Sequence, residues 1–412
     1  MGAGSRGGCY RAMTKGFQNR TEELVYQICA KSFLSLWSHH NVPGKKNNEL
    51  CDVLIVFEEH VLIFSVKECK LGGNDEIDWL RWQKRAIDES VRQLYGAEKW
   101  LRGRTTITAL DGRLINLPSL DRRKVYRIAV ALGSNRMAPV MEFGDLGSGY
   151  VHVFDEISFS VALNELNTIT DFVDYLAKSE APSSSLVIEG GAENLIAYFI
   201  SQNRSFPKDA DTIIIGSDIW DGVKQSEQYR LKQEADRESY VWDLLIESLI
   251  DDHINDRFEI TLQSVDQDLC LRTMAKESRF DRRILGRSLR EFIELNKAKR
   301  VRSRMLASPS GVTYVFLGDQ PTDLMWRKQE LTARCFVARR EHPANKAVVG
   351  IGMSGYIEDK GYSLELVYVH MEEFRDEDHK LLLELRETAG YFTSPEISHL
   401  HEDEFPIPKA EN

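Results

Sequence analysis

The sequence predicts an α/β protein of two domains: a mixed-sheet core flanked by helices, followed by a second mixed α/β domain. Three observations predict it. Two apolar runs, Val53-Leu54-Ile55-Val56-Phe57 and Val61-Leu62-Ile63-Phe64, flank the polar pair Glu58-Glu59 at the spacing of a buried β-hairpin. Stretches with helical spacing of apolar residues precede and follow that hairpin, at 21–38 and 78–100. A Pro- and Ser-rich stretch, Ala181-Pro182-Ser183-Ser184-Ser185, reads as a linker. It places one domain over 19–180 and another over 186–412, behind a Gly-rich flexible tail at 1–18.

In the first helix Asn19-x-x-Glu22 is a capping-box pattern, and an acid in a first turn suits the helix dipole. Glu22 also shares a stripe with Val25, Cys29 and Leu36, which sets it on the apolar face. His39-His40 is expected to close this helix. In the hairpin, setting Phe57 opposite His60 pairs Val56 with Val61, Leu54 with Ile63 and Asp52 with Ser65. Period-two alternation then puts Asp52, Ser65 and Lys67 on one face, close enough to form a cluster at the hairpin's open end. An ordinary strand-end ion pair is the bland reading of Asp52 and Lys67. Glu49 and Glu68 fall on the opposite face in strict alternation and enter the cluster only if the strand bends.

The helix at 78–100 carries Trp79, Trp82, Ala86, Ser90, Gln93 and Ala97 on one stripe, where a glutamine calls for a polar partner. Lys84, Arg85 and Arg92 are candidates for phosphate contact or for a solvated face. Strands are expected at 125–132 and 150–154, with a helix at 168–178 closing the domain. The second domain opens with short mixed elements and a long polar helical region at 223–254. Strands at 312–317, 347–351 and 363–370 then alternate with helices at 331–340 and 376–389. The basic segment from Arg279 to Arg304, opposed only by Asp281, Glu291 and Glu294, has Leu285, Leu289, Phe292 and Ile293 at helical spacing. It predicts an amphipathic helix with its basic side outward, offering Arg282, Arg283, Arg287 and Arg290 to nucleic acid. Gly350-Ile351-Gly352-Met353-Ser354-Gly355 lacks the following helix of a phosphate loop and reads as a turn after a strand.

The hairpin resembles the PD-(D/E)xK superfamily of restriction-endonuclease-like nucleases, which place Asp at the start of one strand and (D/E)xK on the next. Asp52 matches the aspartate and Lys67 the lysine, while Ser65 stands at the acidic position as a departure. Thr21-Glu22-Glu23-Leu24, the run from Ser32 to Ser38 and Glu49-Leu50-Cys51-Asp52 also look like a group of bacterial proteins in that superfamily without a settled activity. The resemblance implies a restriction-endonuclease-like mixed sheet, Mg²⁺ or Mn²⁺ as cofactor, and phosphodiester hydrolysis with DNA as the partner. By the same resemblance Asp52 holds the metal, Lys67 acts on the attacking water and Gln93 lies beside the site. Glu22 is the best substitute for the charge that Ser65 lacks. Restriction, repair and phage defence are family roles, which extends the expected partners to a second copy of the chain or another defence protein. The alternative is a catalytically inactive nuclease fold serving as a nucleic-acid-binding or assembly module, motivated by Ser65. A further alternative is that the second domain carries an activity of its own.

Composition bounds these readings. At 412 residues and 42% hydrophobic content the chain can build two packed cores. No stretch approaches the roughly 18 apolar residues of a membrane span, and no charged-then-apolar leader opens the sequence, so a cytoplasmic protein is expected. Six cysteines without CxxC pairs read as thiols in a reducing compartment. A net charge of −11 argues against broad electrostatic adhesion to DNA and confines any binding to local basic surface.

Overall fold

The computed structural model describes residues 19–45, 48–72, 76–134, 144–180, 185–207, 212–254, 264–298, 302–319, 324–354, 364–393 and 402–407. The chain is mixed α/β and divides into two compact units, Met1–Ser226 and Glu227–Asn412. The boundary therefore lies beyond the 181–185 stretch, most of which lies outside the described residues.

The first unit runs α1 (Arg20–Phe33), β1 (Ser38–Pro43), β2 (Glu49–Phe57), β3 (His60–Glu68), α2 (Glu76–Gln83), a π-helical turn (Lys84–Asp88) and α3 (Glu89–Arg102). A small hairpin, β4 (Thr106–Thr108) and β5 (Leu114–Asn116), precedes β6 (Lys124–Leu132), β7 (Gly144–Asp145), β8 (Tyr150–Phe154), α4 (Glu156–Glu165) and α5 (Ile169–Glu180). Then come β9 (Ser185–Ile188), α6 (Ala192–Ser201), β10 (Thr212–Ile215) and α7 (Ile219–Gln225). The main sheet has the order β1-β2-β3-β6-β8-β7. Its first three strands are antiparallel, whereas β6 runs parallel to β3 and β8 parallel to β6.

A parallel step needs a crossover, and α2, the π turn and α3 supply it between β3 and β6. This crossover buries Trp82, Ile87 and Leu94 against Leu54, Val56, Val61 and Ile63. On the other face Phe64 stacks at 6.4 Å on Phe172 of α5, which also meets Phe33 of α1 at 5.1 Å. The hairpin register is as the apolar pattern predicts, with Phe57 opposite His60, Val56 opposite Val61 and Leu54 opposite Ile63. α1 stops at Phe33, earlier than its apolar spacing suggests, because Leu34 takes a left-handed φ of 70°. His39 and His40 consequently lie in β1. Residues 185–225 belong to the first unit: α6 packs on α4, and Phe199 meets Tyr175 edge-on at 5.4 Å.

The second unit contains α8 (Glu227–Asp236), a 3₁₀ turn (Arg237–Ser239), α9 (Tyr240–Ile254), α10 (Ser264–Ala275) and α11 (Arg279–Lys297). A four-stranded sheet follows, built from β11 (Ser303–Ala307), β12 (Val312–Asp319), β13 (Ala347–Ser354) and β14 (Leu364–His370), with α12 (Leu324–Glu341) joining the parallel pair β12 and β13 and α13 (Asp376–Ala389) at the end. The 223–254 region is thus broken into several helices. Gly350 and Gly352 lie inside β13 and serve packing: a Cβ at Gly350 would meet Cys335 Sγ at 2.5 Å. Among the described residues no helix is long and apolar enough to cross a membrane.

The basic side of α11 does not face outward, which corrects the expectation for this segment. Arg282 and Arg283 are almost fully buried. Arg282 and Arg279 both bond Asp243 of α9 at 2.7 Å. Arg283 pairs with Asp236 at 3.2 Å and Glu402 at 3.0 Å, Arg287 with Glu402 at 2.8 Å, and Arg290, half exposed, with Glu238 at 2.6 Å. The physical reason is a facing set of acids from α8, α9 and the chain end. Guanidinium groups that saturate their donors on internal carboxylates leave few for phosphate.

Candidate functional site

The open end of the β2–β3 hairpin carries the cluster. The regular ladder ends at Val53 opposite Phe64. One step further the Asp52 carboxylate accepts the Val66 backbone N–H at 2.6 Å. That bond ties the aspartate to β3. Asp52 and Ser65 are buried, and Lys67 is half-buried. Ser65 Oγ donates to Gln93 Oε1 of α3 at 2.9 Å, so the glutamine on the apolar stripe has its polar partner here. The structure thereby brings Asp52, Ser65, Lys67 and Gln93 to one end of one sheet face.

Two contacts shape this end, one from α2 and one between the exits of β3 and β6. Trp82 Nε1 donates to Cys69 O at 2.8 Å, just past β3. The exits of β3 and β6 run so close that a Cβ at Gly133, whose φ is 89°, would lie 2.5 Å from Cys69 O. A left-handed glycine is the residue that permits this approach.

Glu49 joins the cluster, which alternation alone forbids. β1 and β2 are in register through Val42 opposite Cys51, and the next pair is Pro43 opposite Glu49, so Leu50 is an extra residue on β2. A bulge of this kind reverses the parity of everything beyond it. The Glu49 side chain accordingly meets and hydrogen-bonds that of Asp52. Burial, then the charges of Asp52 and Glu22, push the Glu49 carboxyl up to about 7, with Lys67 opposing. Asp52 is also raised, chiefly by burial, against the pull of the Val66 N–H and Lys67. A carboxyl held out of water beside another carboxyl favours its protonated form. Glu68 stays outside, accepting the Thr21 hydroxyl.

Glu22 has both features that the sequence suggests. Asn19 Oδ1 accepts its backbone N–H at 2.9 Å, and Asn19 Nδ2 donates to its Oε1 at 2.7 Å. It is nevertheless 5% exposed and close enough to raise both Glu49 and Asp52. Lys84 and Arg85 are exposed on the π turn. Arg85 acts with Lys67 on Cys69, which places it on the site's flank.

No set of three or more His, Cys, Asp or Glu side chains among the described residues forms a ready metal cage. Two neighbouring carboxylates with water completing the shell still suit Mg²⁺, which binds through one or two acids and keeps several waters. No protein-family model matches the chain, and neither does any curated protein or solved structure.

Proposed function

We propose that the chain is a metal-dependent nuclease of restriction-endonuclease-like architecture, hydrolysing phosphodiester bonds of DNA with Mg²⁺ or Mn²⁺. The observation that carries this reading is the junction of Asp52, Glu49 and Lys67 at the open end of one hairpin. An acid at the start of β2 and a lysine near the end of β3 recur here as the superfamily pattern requires, and Glu49 supplies the charge that Ser65 lacks. Asp52 and Glu49 would hold the metal, with Glu22 behind them. The cation, when bound, polarises the phosphate and lowers the pKa of water. Lys67 orients the attacking water and offsets the negative charge that develops on the phosphate oxygens. Gln93, fixed by Ser65, positions the water or the scissile phosphate.

The test is cleavage of plasmid, linear duplex and single-stranded DNA with Mg²⁺ or Mn²⁺. Wild type should cut, and Asp52→Ala and Lys67→Ala should each lose about 10²–10⁴-fold of the rate. Equal cutting by all three proteins refutes the assignment. The second reading, an inactive nuclease fold that binds without cutting, draws on Ser65 at the acidic position. DNA binding without cleavage under either metal would establish it.

A further inference from the structure

The outer face of α3 has a feature that the site does not use. Arg92, Gly96 and Lys99 form an exposed stripe at i, i+4 and i+7. Gly96 sits mid-helix without a positive φ, and a Cβ there would meet nothing within 4 Å. Neither a turn nor internal packing asks for glycine, yet glycine in a helix interior costs about 1 kcal/mol relative to alanine. Such a glycine leaves open space for close approach by something from outside. Its flanks are cationic. Lys99 and Arg92 make no ion pair among the described residues, Arg92 giving only its Nε–H to Asp88 O at 3.2 Å. Arg102, by contrast, is paired with Glu98 at 2.9 Å. The exposed acids Asp88 and Glu89 lie a turn before Arg92, so the positive stretch begins at Arg92 and runs away from them. Gln93, next in sequence, turns inward to Ser65, which joins this face to the site through a single residue.

We infer that this face is where the enzyme seats the phosphate backbone of its DNA, Arg92 and Lys99 each engaging a phosphate and Gly96 forming the notch between them. The inference rests on the nuclease reading of the site. Seven residues of helix separate the two cations by about 10 Å, roughly three base-pair steps of duplex.

Binding of a short random-sequence duplex and of the matching single strand, measured in EDTA across a salt series, tests this without requiring cleavage. Arg92→Gln/Lys99→Gln should flatten the slope of log K against log salt by about 1.8 for duplex, or about 1.4 for single strand. Gly96→Leu should raise Tm, because it removes a helix glycine, and yet weaken binding about tenfold or more. Arg290→Gln, which breaks a pair with Glu238, should leave the slope unchanged. An unchanged slope in the double variant overturns the inference, as does unchanged affinity in Gly96→Leu or equal binding to anionic lipid vesicles. A wild type that binds DNA with a salt slope that the double variant flattens, yet cuts no substrate with Mg²⁺ or Mn²⁺, would instead condemn the nuclease reading alone.

Discussion

Asp52 and Glu49 illustrate how much one side chain's surroundings decide. A carboxyl that sits beside another one and out of water resists ionisation until a cation arrives. Isothermal titration with Mn²⁺ should therefore rank the acids. Asp52→Asn should abolish binding, Glu49→Gln should weaken it about tenfold or more, and Glu22→Gln should do less, since Asn19 already holds one of its oxygens. A larger loss for Glu22→Gln than for Glu49→Gln would return the missing charge to the helix. Asp52, Ser65 and Lys67 are legible from sequence because period two is a rigid rule within a regular strand. Glu49 is not, since nothing in Glu49-Leu50-Cys51 announces a bulge. Gln93 is legible because an amide on an apolar stripe must find a hydrogen-bond partner when it is buried.

The same contrast holds for elements. β6, β8 and α13 announce themselves through apolar runs or helical spacing, and their bounds lie within a residue of those signals, whereas β2 and β3 each run four residues past their apolar runs at the hairpin's open end. α1 ends early and 223–254 breaks into pieces because local turns, such as Leu34 at φ 70°, override a pattern that periodicity alone would continue. The inward basic face of α11 has another cause. Composition reveals that a helix is basic, but not whether acids from other helices meet it. That arrangement has an energetic consequence: Asp243 pairs with both Arg279 and Arg282, which are nearly buried. Removing one partner of a buried pair leaves an uncompensated charge. Asp243→Asn should cost about 3–5 kcal/mol in urea unfolding, whereas breaking the half-exposed Arg290 pair with Arg290→Gln should cost about 1 kcal/mol or less. Similar losses for both would deny the buried network its structural weight.

Over the whole molecule, an excess of acid means that pH bears on stability through a few buried groups. Glu277, in the second unit, is fully buried and accepts hydroxyls from Ser308, Ser310 and Tyr314 at 3.0, 2.8 and 2.8 Å. Burial, then Asp281, push its carboxyl up to about 7 from an ordinary value of 4.5, and those three hydroxyls pull the other way. The folded state thus favours the protonated form. Its contribution is fully present below about pH 4.5 and is lost as pH rises through about 7, a span on the order of 3 kcal/mol. Urea midpoints for wild type should fall between pH 5 and 8 more steeply than for Glu277→Gln. Parallel profiles would show that Glu277 ionises freely. The net charge of −11 would likewise confine the proposed DNA binding to local basic surface, with the exposed cations of α3 set against α11 arginines that pair with internal acids.

The extra residue at Leu50 lets a strand carry an acid at a spacing that strict alternation would send to the other face. Glu49 lies three residues before Asp52, and the bulge makes that separation act as two while the rest of the hairpin keeps its apolar core. Deleting Leu50 removes the bulge and leaves Glu49 two residues from Asp52, still on its face, so Mn²⁺ titration of the deletion variant should match wild type. A lost affinity there would show that the bulge itself, and not the shared face, sets the geometry of the two acids.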